Sequence, residues 1–175
     1  MFSKKTALFL ILAGIVLALD LGSKACVFSW LDQPFDRHEV IDGVFEIIHH
    51  TNTGGMWGVG QEWNPWILKV VRMAAVLVIF VILKQTPASD RWSVAALGLV
   101  LGGAAGNIYD SWVHEAVRDF LKFDFGFWIF DPFPTFNIAD SAICVGVALL
   151  ALRMVFCSPP QAKSNRNASA GEAGS

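Results

Sequence analysis

Four long apolar runs, at residues 6–27, 66–83, 92–108 and 138–157, constrain this chain more than any other feature. Each approaches the ~20 residues that a helix needs to cross a bilayer core. Lipid offers no partners to backbone N–H and C=O groups, so isolated spans of this kind have to be helical. The expected fold is membrane all-α: a four-transmembrane-helix bundle whose outer loops, 28–65 and 109–137, form a small extracytoplasmic strand and loop cradle. Composition agrees, because 16% of the 175 residues are charged, against roughly 25% in an average soluble domain. Residues 1–157 read as one membrane domain. Residues 158–175, rich in Pro, Ser, Ala, Gly and Asn, read as a disordered cytoplasmic tail.

Several function classes fall away at this point. A formal net charge of −2 gives no electrostatic footprint for nucleic acid. Cys26, Cys144 and Cys157 are odd in number and lie in or beside apolar runs, so they read as small hydrophobes rather than a disulfide framework. His38, His49, His50 and His114 make no metal-ligand spacing, and no metal site or cofactor is expected. The first run follows Lys4 and Lys5 as a cleaved signal peptide would, but three further spans follow it. Ser23-Lys24-Ala25-Cys26 is a poor lipoprotein cleavage box, because a charged lysine stands where a small residue is needed. Asp20 and Lys24 are one helical turn apart and are expected to form an interfacial ion pair with a structural role.

Basic residues near the span ends set the orientation. Lys4, Lys5, Lys84, Arg91, Arg153, Lys163 and Arg166 share one side with few acids. Lys24, Arg37, Arg118 and Lys122, with Lys69 and Arg72 near a helix end, lie on the other side among many acids. This places both termini in the cytoplasm and the long loops outside. Those loops hold Trp30, Trp57, Trp63, Trp112 and Trp128, as segments at headgroup depth do. The alternation Lys-Phe-Asp-Phe-Gly-Phe at 122–127 suggests a strand or flap with one face on lipid, or simple interfacial anchoring.

Polar residues then appear where lipid should be. Gly98, Gly102 and Gly106 recur at steps of four with Gly103 and Asn107 in the adjacent row, a spacing that lets two helices approach closely, and Asn107 and Asp110 continue the two rows outward. At the start of the fourth span Asn137 is a candidate N-cap, which puts Asp140 in the first helical turn. An acid there is ordinary dipole complementarity when it stands alone. Asp119, in the loop between the third and fourth spans, supplies a second carboxylate that the chain's return can bring alongside. Two neighbouring carboxylates cannot both ionise comfortably, so they share one proton. That is the condition for aspartic-protease chemistry, in which one acid activates water and the other protonates the substrate.

These residues fall in blocks: Leu19-Asp20-Leu21-Gly22-Ser23-Lys24, Asn52-Thr53-Gly54, Gly102 to Asp110, Val117-Arg118-Asp119-Phe120, and Phe136-Asn137-Ile138-Ala139-Asp140-Ser141. In that order, relative to four spans, they resemble the lipoprotein signal peptidase (signal peptidase II) family of bacterial intramembrane aspartic peptidases. The resemblance implies that Asp119 and Asp140 are the catalytic pair and that Asn52, Gly54, Asn107, Asp110 and Asn137 shape or bind at the site. It implies an inner-membrane enzyme, blocked by globomycin and needing no cofactor, with its active site at the outer interface. Its partners would be membrane lipids and diacylglyceryl prolipoprotein substrates, cut just before the lipidated cysteine. A monomer is expected. Three departures stand out. Ser111 occupies a place where the family commonly has Arg, with Arg118 one candidate to supply the basic group. Gly55-Met56-Trp57-Gly58 replaces small residues followed by Phe, and the aromatic stretch from Lys122 to Phe133 is expanded.

One further expectation comes from the residues alone: the positive end of the fourth helix favours ionised Asp140, leaving the shared proton more often on Asp119. A small ion-coupled transporter using Asp20, Asp110 and Asp140 is the competing class, but the acids cluster at one end and no internal repeat is visible. A non-enzymatic scaffold built on the glycine stripe is another. Presenilin-like proteases fit poorly, because no Gly-x-Gly-Asp motif occurs.

Overall fold

In the computed structural model the described residues are 3–54, 63–124, 126 and 133–156; the expected tail at 158–175 lies outside them. Four helices form the frame: α1 (Lys4–Trp30), α2 (Pro65–Gln85), α3 (Arg91–Val113) and α4 (Ile138–Phe156). Every helix is long and apolar enough to span a membrane. Each start carries a polar cap, which satisfies N–H groups that a helix leaves orphaned. Ser3, Asn64 and Asp90 accept from Thr6, Trp66 and Ser93 N–H groups, and Pro65 opens α2. Asn137 Oδ1 accepts from Asp140 N at 2.9 Å at the start of α4.

The spans run close to their expected limits with one difference. α3 continues to Val113 rather than ending near 108, so Asn107, Asp110 and Ser111 all sit on its last two turns. Their side chains are buried against protein, and this tertiary cover lets the helix carry polar groups further than hydropathy suggests.

α3 is the central helix and packs on α1, α2 and α4. Its glycines make this possible. A Cβ at Gly102 would stand 2.6 Å from the Ala13 carbonyl oxygen and 2.7 Å from Val16 Cβ. One at Gly103 would collide with the Ala139 carbonyl and lie 2.8 Å from Ile143 Cγ1. α4 reciprocates at Gly146, whose Cβ would lie 2.6 Å from Val100 Cγ2. Phe9, Ile79, Val94 and Leu97 form the buried apolar cluster near the opposite end. Outward faces are apolar and exposed, among them Leu10, Ile11, Ile15 and Leu19 on α1 and Val70, Leu77, Val78 and Val81 on α2. Such surface on four span-length helices suits lipid.

A three-stranded antiparallel sheet caps one end: β1 (Arg37–Ile41), β2 (Phe45–Asn52) and β3 (Val117–Phe123), in that order. The strand lies earlier than the alternating stretch at 122–127: β3 ends at Phe123, Asp124 and Gly126 are not in a strand, and residues 125 and 127 lie outside those described. At the other end Lys5 Nζ donates to the Leu83 carbonyl and, at 2.5 Å, to that of Thr86, and Arg153 meets Asp90 at 3.3 Å. Sheet and basic cluster therefore mark opposite ends of the bundle.

Gly103→Ala is expected to destabilise the bundle by about 1–3 kcal/mol through overpacking. Gly14→Ala, whose Cβ meets nothing within 4 Å, should not. Thermal unfolding in detergent micelles measures both.

Candidate active site

Asp119 lies on β3, not in an irregular loop. Its backbone pairs with His50 of β2, and Asn52 of β2 pairs with Val117. The same sheet is stitched to the start of α4. Phe120 N and Leu121 N donate to the Phe136 carbonyl at 3.1 and 2.8 Å, and Phe136 N returns a bond to Leu121 O at 3.0 Å. One residue later comes Asn137, with no solvent exposure. Sheet hydrogen bonds thereby fix the distance between the strand that carries Asp119 and the helix turn that carries Asp140.

Asn137 joins the two acids. Its Nδ2 donates to Asp119 Oδ1 at 2.6 Å, and its backbone N to Asp140 Oδ2 at 3.3 Å. The outer oxygens have their own asparagines: Asn52 Nδ2 donates to Asp119 Oδ2 at 3.2 Å, and Asn107 Nδ2 to Asp140 Oδ1 at 2.7 Å. Three asparagines thus hold two carboxylates without adding charge.

Behind the pair is a buried ionic cluster. Lys24 Nζ contacts Asp20 Oδ2 at 2.7 Å, Asp110 Oδ2 at 3.2 Å and Asn107 Oδ1 at 3.2 Å. Asp20 Oδ1 accepts from Ala139 N at 2.9 Å, tying α1 to α4. The Arg118 guanidinium meets Asp110 Oδ1 through Nε and Nη2, and Arg118 N donates to Oδ2. The expected interfacial Asp20–Lys24 pair exists but is wholly buried, because α3 and α4 close over it. Arg118, one candidate for the basic group absent at Ser111, is paired with Asp110. Asp110 serves that cluster and is absent from the described cavity lining.

Asp119 and Asp140 open onto a cavity of about 510 Å³ bounded by α2, α3 and α4. Its long wall is apolar, with Leu68, Ala75, Ile79, Val100 and Ile143. Its polar end holds both acids, Asn52, Gly54, Asn107 and Arg72. Arg72, one of two cations near a helix end in the sequence, is a cavity residue that sequence reasoning does not single out. The available signal is its position, two turns in, within a run whose other charge is Lys69.

Residues 12–156 match the family model described as signal peptidase (SPase) II. The chain belongs to the signal peptidase II family. Lipoprotein signal peptidases from Geobacillus thermodenitrificans and Nitratidesulfovibrio vulgaris are 35% and 38% identical to it, covering 90% and 95% of this chain and 95% and 99% of their own. A bacterial membrane enzyme solved in meso at 2.3 Å is 27% identical over 84% of this chain and 87% of its own, with a TM-score of 0.68. A second, solved in meso at 1.9 Å, shares the fold with a TM-score of 0.74 at 23% identity, over 86% of this chain and 94% of its own. A signal peptidase II is an aspartic endopeptidase of the membrane, so this multi-pass chain is an enzyme of that class.

In this signal peptidase II, burial and then the neighbouring Asp140 charge push the Asp119 carboxyl up from 3.8 to about 7. The folded protein keeps that proton to a higher pH than the unfolded chain. The proton's contribution to stability is therefore lost as pH rises from about 4 to about 7. Melting temperature measured across that range should fall for the wild type, with Asp119→Asn lacking this part of the slope.

Proposed function

We propose that this chain removes signal peptides from diacylglyceryl-modified prolipoproteins, cutting before the lipidated cysteine with Asp119 and Asp140 as its catalytic pair. The observation that carries the reading is Asn137 holding both carboxylates at the polar end of an apolar cavity. Apolar walls on α2, α3 and α4 suit acyl chains, and the acids suit the amide beside them. Asn52, Gly54, Asn107 and Asn137 shape the site, while Asp20, Lys24, Asp110 and Arg118 brace it. Both carboxylates and the cavity come from one chain, which supports a monomeric enzyme. The cluster of Lys4, Lys5, Lys84, Arg91 and Arg153 away from the sheet supports cytoplasmic termini and a site at the outer interface.

In the reaction, ionised Asp140 takes a proton from water as its oxygen attacks the scissile carbonyl carbon, and Asp119 gives its proton to the carbonyl oxygen. The resulting gem-diol collapses as one hydroxyl returns a proton to Asp119. The C–N bond breaks, and Asp140 protonates the cysteine amine. The pair ends as it began. Asp140 is the better home for the charge, since it lies in the first turn of α4 and accepts from Asn107 and from Asn137 N. Asp119 is the better home for the proton, being 1% exposed on a strand.

Asp119→Asn and Asp140→Asn should each lower cleavage of a diacylglyceryl prolipoprotein by about 10²–10⁴-fold or more while the bundle stays folded. Full activity in either variant would end the proposal. A transporter would tolerate loss of a sealed compartment no better than loss of an acid, so the assay is run in detergent.

A further inference from the structure

Arg72 projects from α2 into the cavity and is the cation among its described lining residues. Its Nη1 donates to Ser111 Oγ at 2.5 Å and its Nη2 to the Gly54 carbonyl at 2.8 Å. Ser111 Oγ in turn donates a hydrogen bond to the Asn107 backbone carbonyl at 2.6 Å. Among the described residues no carboxylate lies within salt-bridge distance of this guanidinium. A cation two turns inside an apolar helix is costly, and such residues serve sites rather than frames.

Charge balance sharpens the point. Asp20 and Asp110 are matched by Lys24 and Arg118, so the buried cluster behind the acids is neutral as a unit. Asp119 and Asp140 with one proton carry a single negative charge, and Arg72 is the cation that shares their cavity. A guanidinium has five N–H donors in a rigid fork. The two bonds to neutral acceptors hold it in place and leave donors for a further acceptor in the cavity.

We infer that Arg72 binds the substrate's main chain, donating to a peptide carbonyl near the scissile bond and thereby holding that bond against the acids. This rests on the peptidase reading above. Ser111 is integral to it: the small hydroxyl leaves space for a side chain arriving from α2 and fastens it there. The basic group that the resemblance leads one to expect on α3 is thus delivered from the neighbouring helix.

The test uses the full chain in detergent with a diacylglyceryl peptide bearing a cysteine-containing cleavage sequence, following both cleavage and binding by tryptophan fluorescence. Loss of a charged hydrogen bond should lower kcat/KM for Arg72→Gln by about 10- to 100-fold, mostly through KM. Arg72→Lys, which keeps the charge but not the fork, should fall between. Moving the cation, as Arg72→Gln with Ser111→Arg, should recover most of the lost affinity. A brace between helices would change melting temperature and would not be rescued this way. Wild-type KM in a folded Arg72→Gln overturns the inference, as does a double variant that folds but regains nothing. A wild type that binds the peptide without cutting it defeats the peptidase reading, while a tenfold affinity gap to Arg72→Gln would still support the role of Arg72. A wild type that cuts, beside an Arg72→Gln with unchanged KM, defeats the role of Arg72 alone.

Discussion

A lysine ammonium with no solvent exposure, Lys24, sits between the Asp20 and Asp110 carboxylates and reaches the amide oxygen of Asn107. Removing one partner from such a buried set leaves an uncompensated charge, a loss of about 3–5 kcal/mol. The cluster therefore acts as a lock between helices. It joins α1 to α3 through the ammonium, α1 to α4 through the Ala139 amide, and α3 to β3 through Arg118. Every element that carries a catalytic candidate is fixed by it. The glycine stripe is its steric condition: Asp20 lies against Gly106, where a methyl group would collide with its carboxylate.

The asparagines connect that lock to the reactive pair. Asn107 accepts from Lys24 and donates to Asp140, and Asn137 donates to Asn107 and Asp119. An amide can face a cation on its oxygen and an anion on its nitrogen, so it conveys orientation without conveying a charge. With the rear cluster neutral as a unit, burial and then the Asp140 charge raise the affinity of Asp119 for a proton. A second cation in the rear would undo that. Arg72 faces the acids from the cavity side instead, where a substrate can reach it.

Much of this was legible in the residues. The length of the apolar runs gave the four spans, because an isolated span in lipid has to be helical to satisfy its own backbone. Small-residue spacing marked α3 as a helix that a neighbour approaches closely, and Asn137 before Asp140 read as a capped helix start. Three features were not legible. α3 ran to Val113 because its polar last turns are covered by other elements, and hydropathy cannot sense cover. Asp119 proved to be on a strand, since the partner that makes it one, β2, is more than sixty residues away. The Asp20–Lys24 pair looked interfacial, since spacing along one helix says nothing of what closes over it.

The sequence by itself determined the helical class, the polar residues and the family blocks, since these follow from local backbone physics and from residue identity. Only the tertiary structure decided which cation goes where. Lys24, Arg72 and Arg118 are equivalent as letters, and each could have faced the acids. Packing gave Lys24 and Arg118 to Asp20 and Asp110 and left Arg72 in the cavity, because a buried charge takes the partner that geometry brings within hydrogen-bond reach.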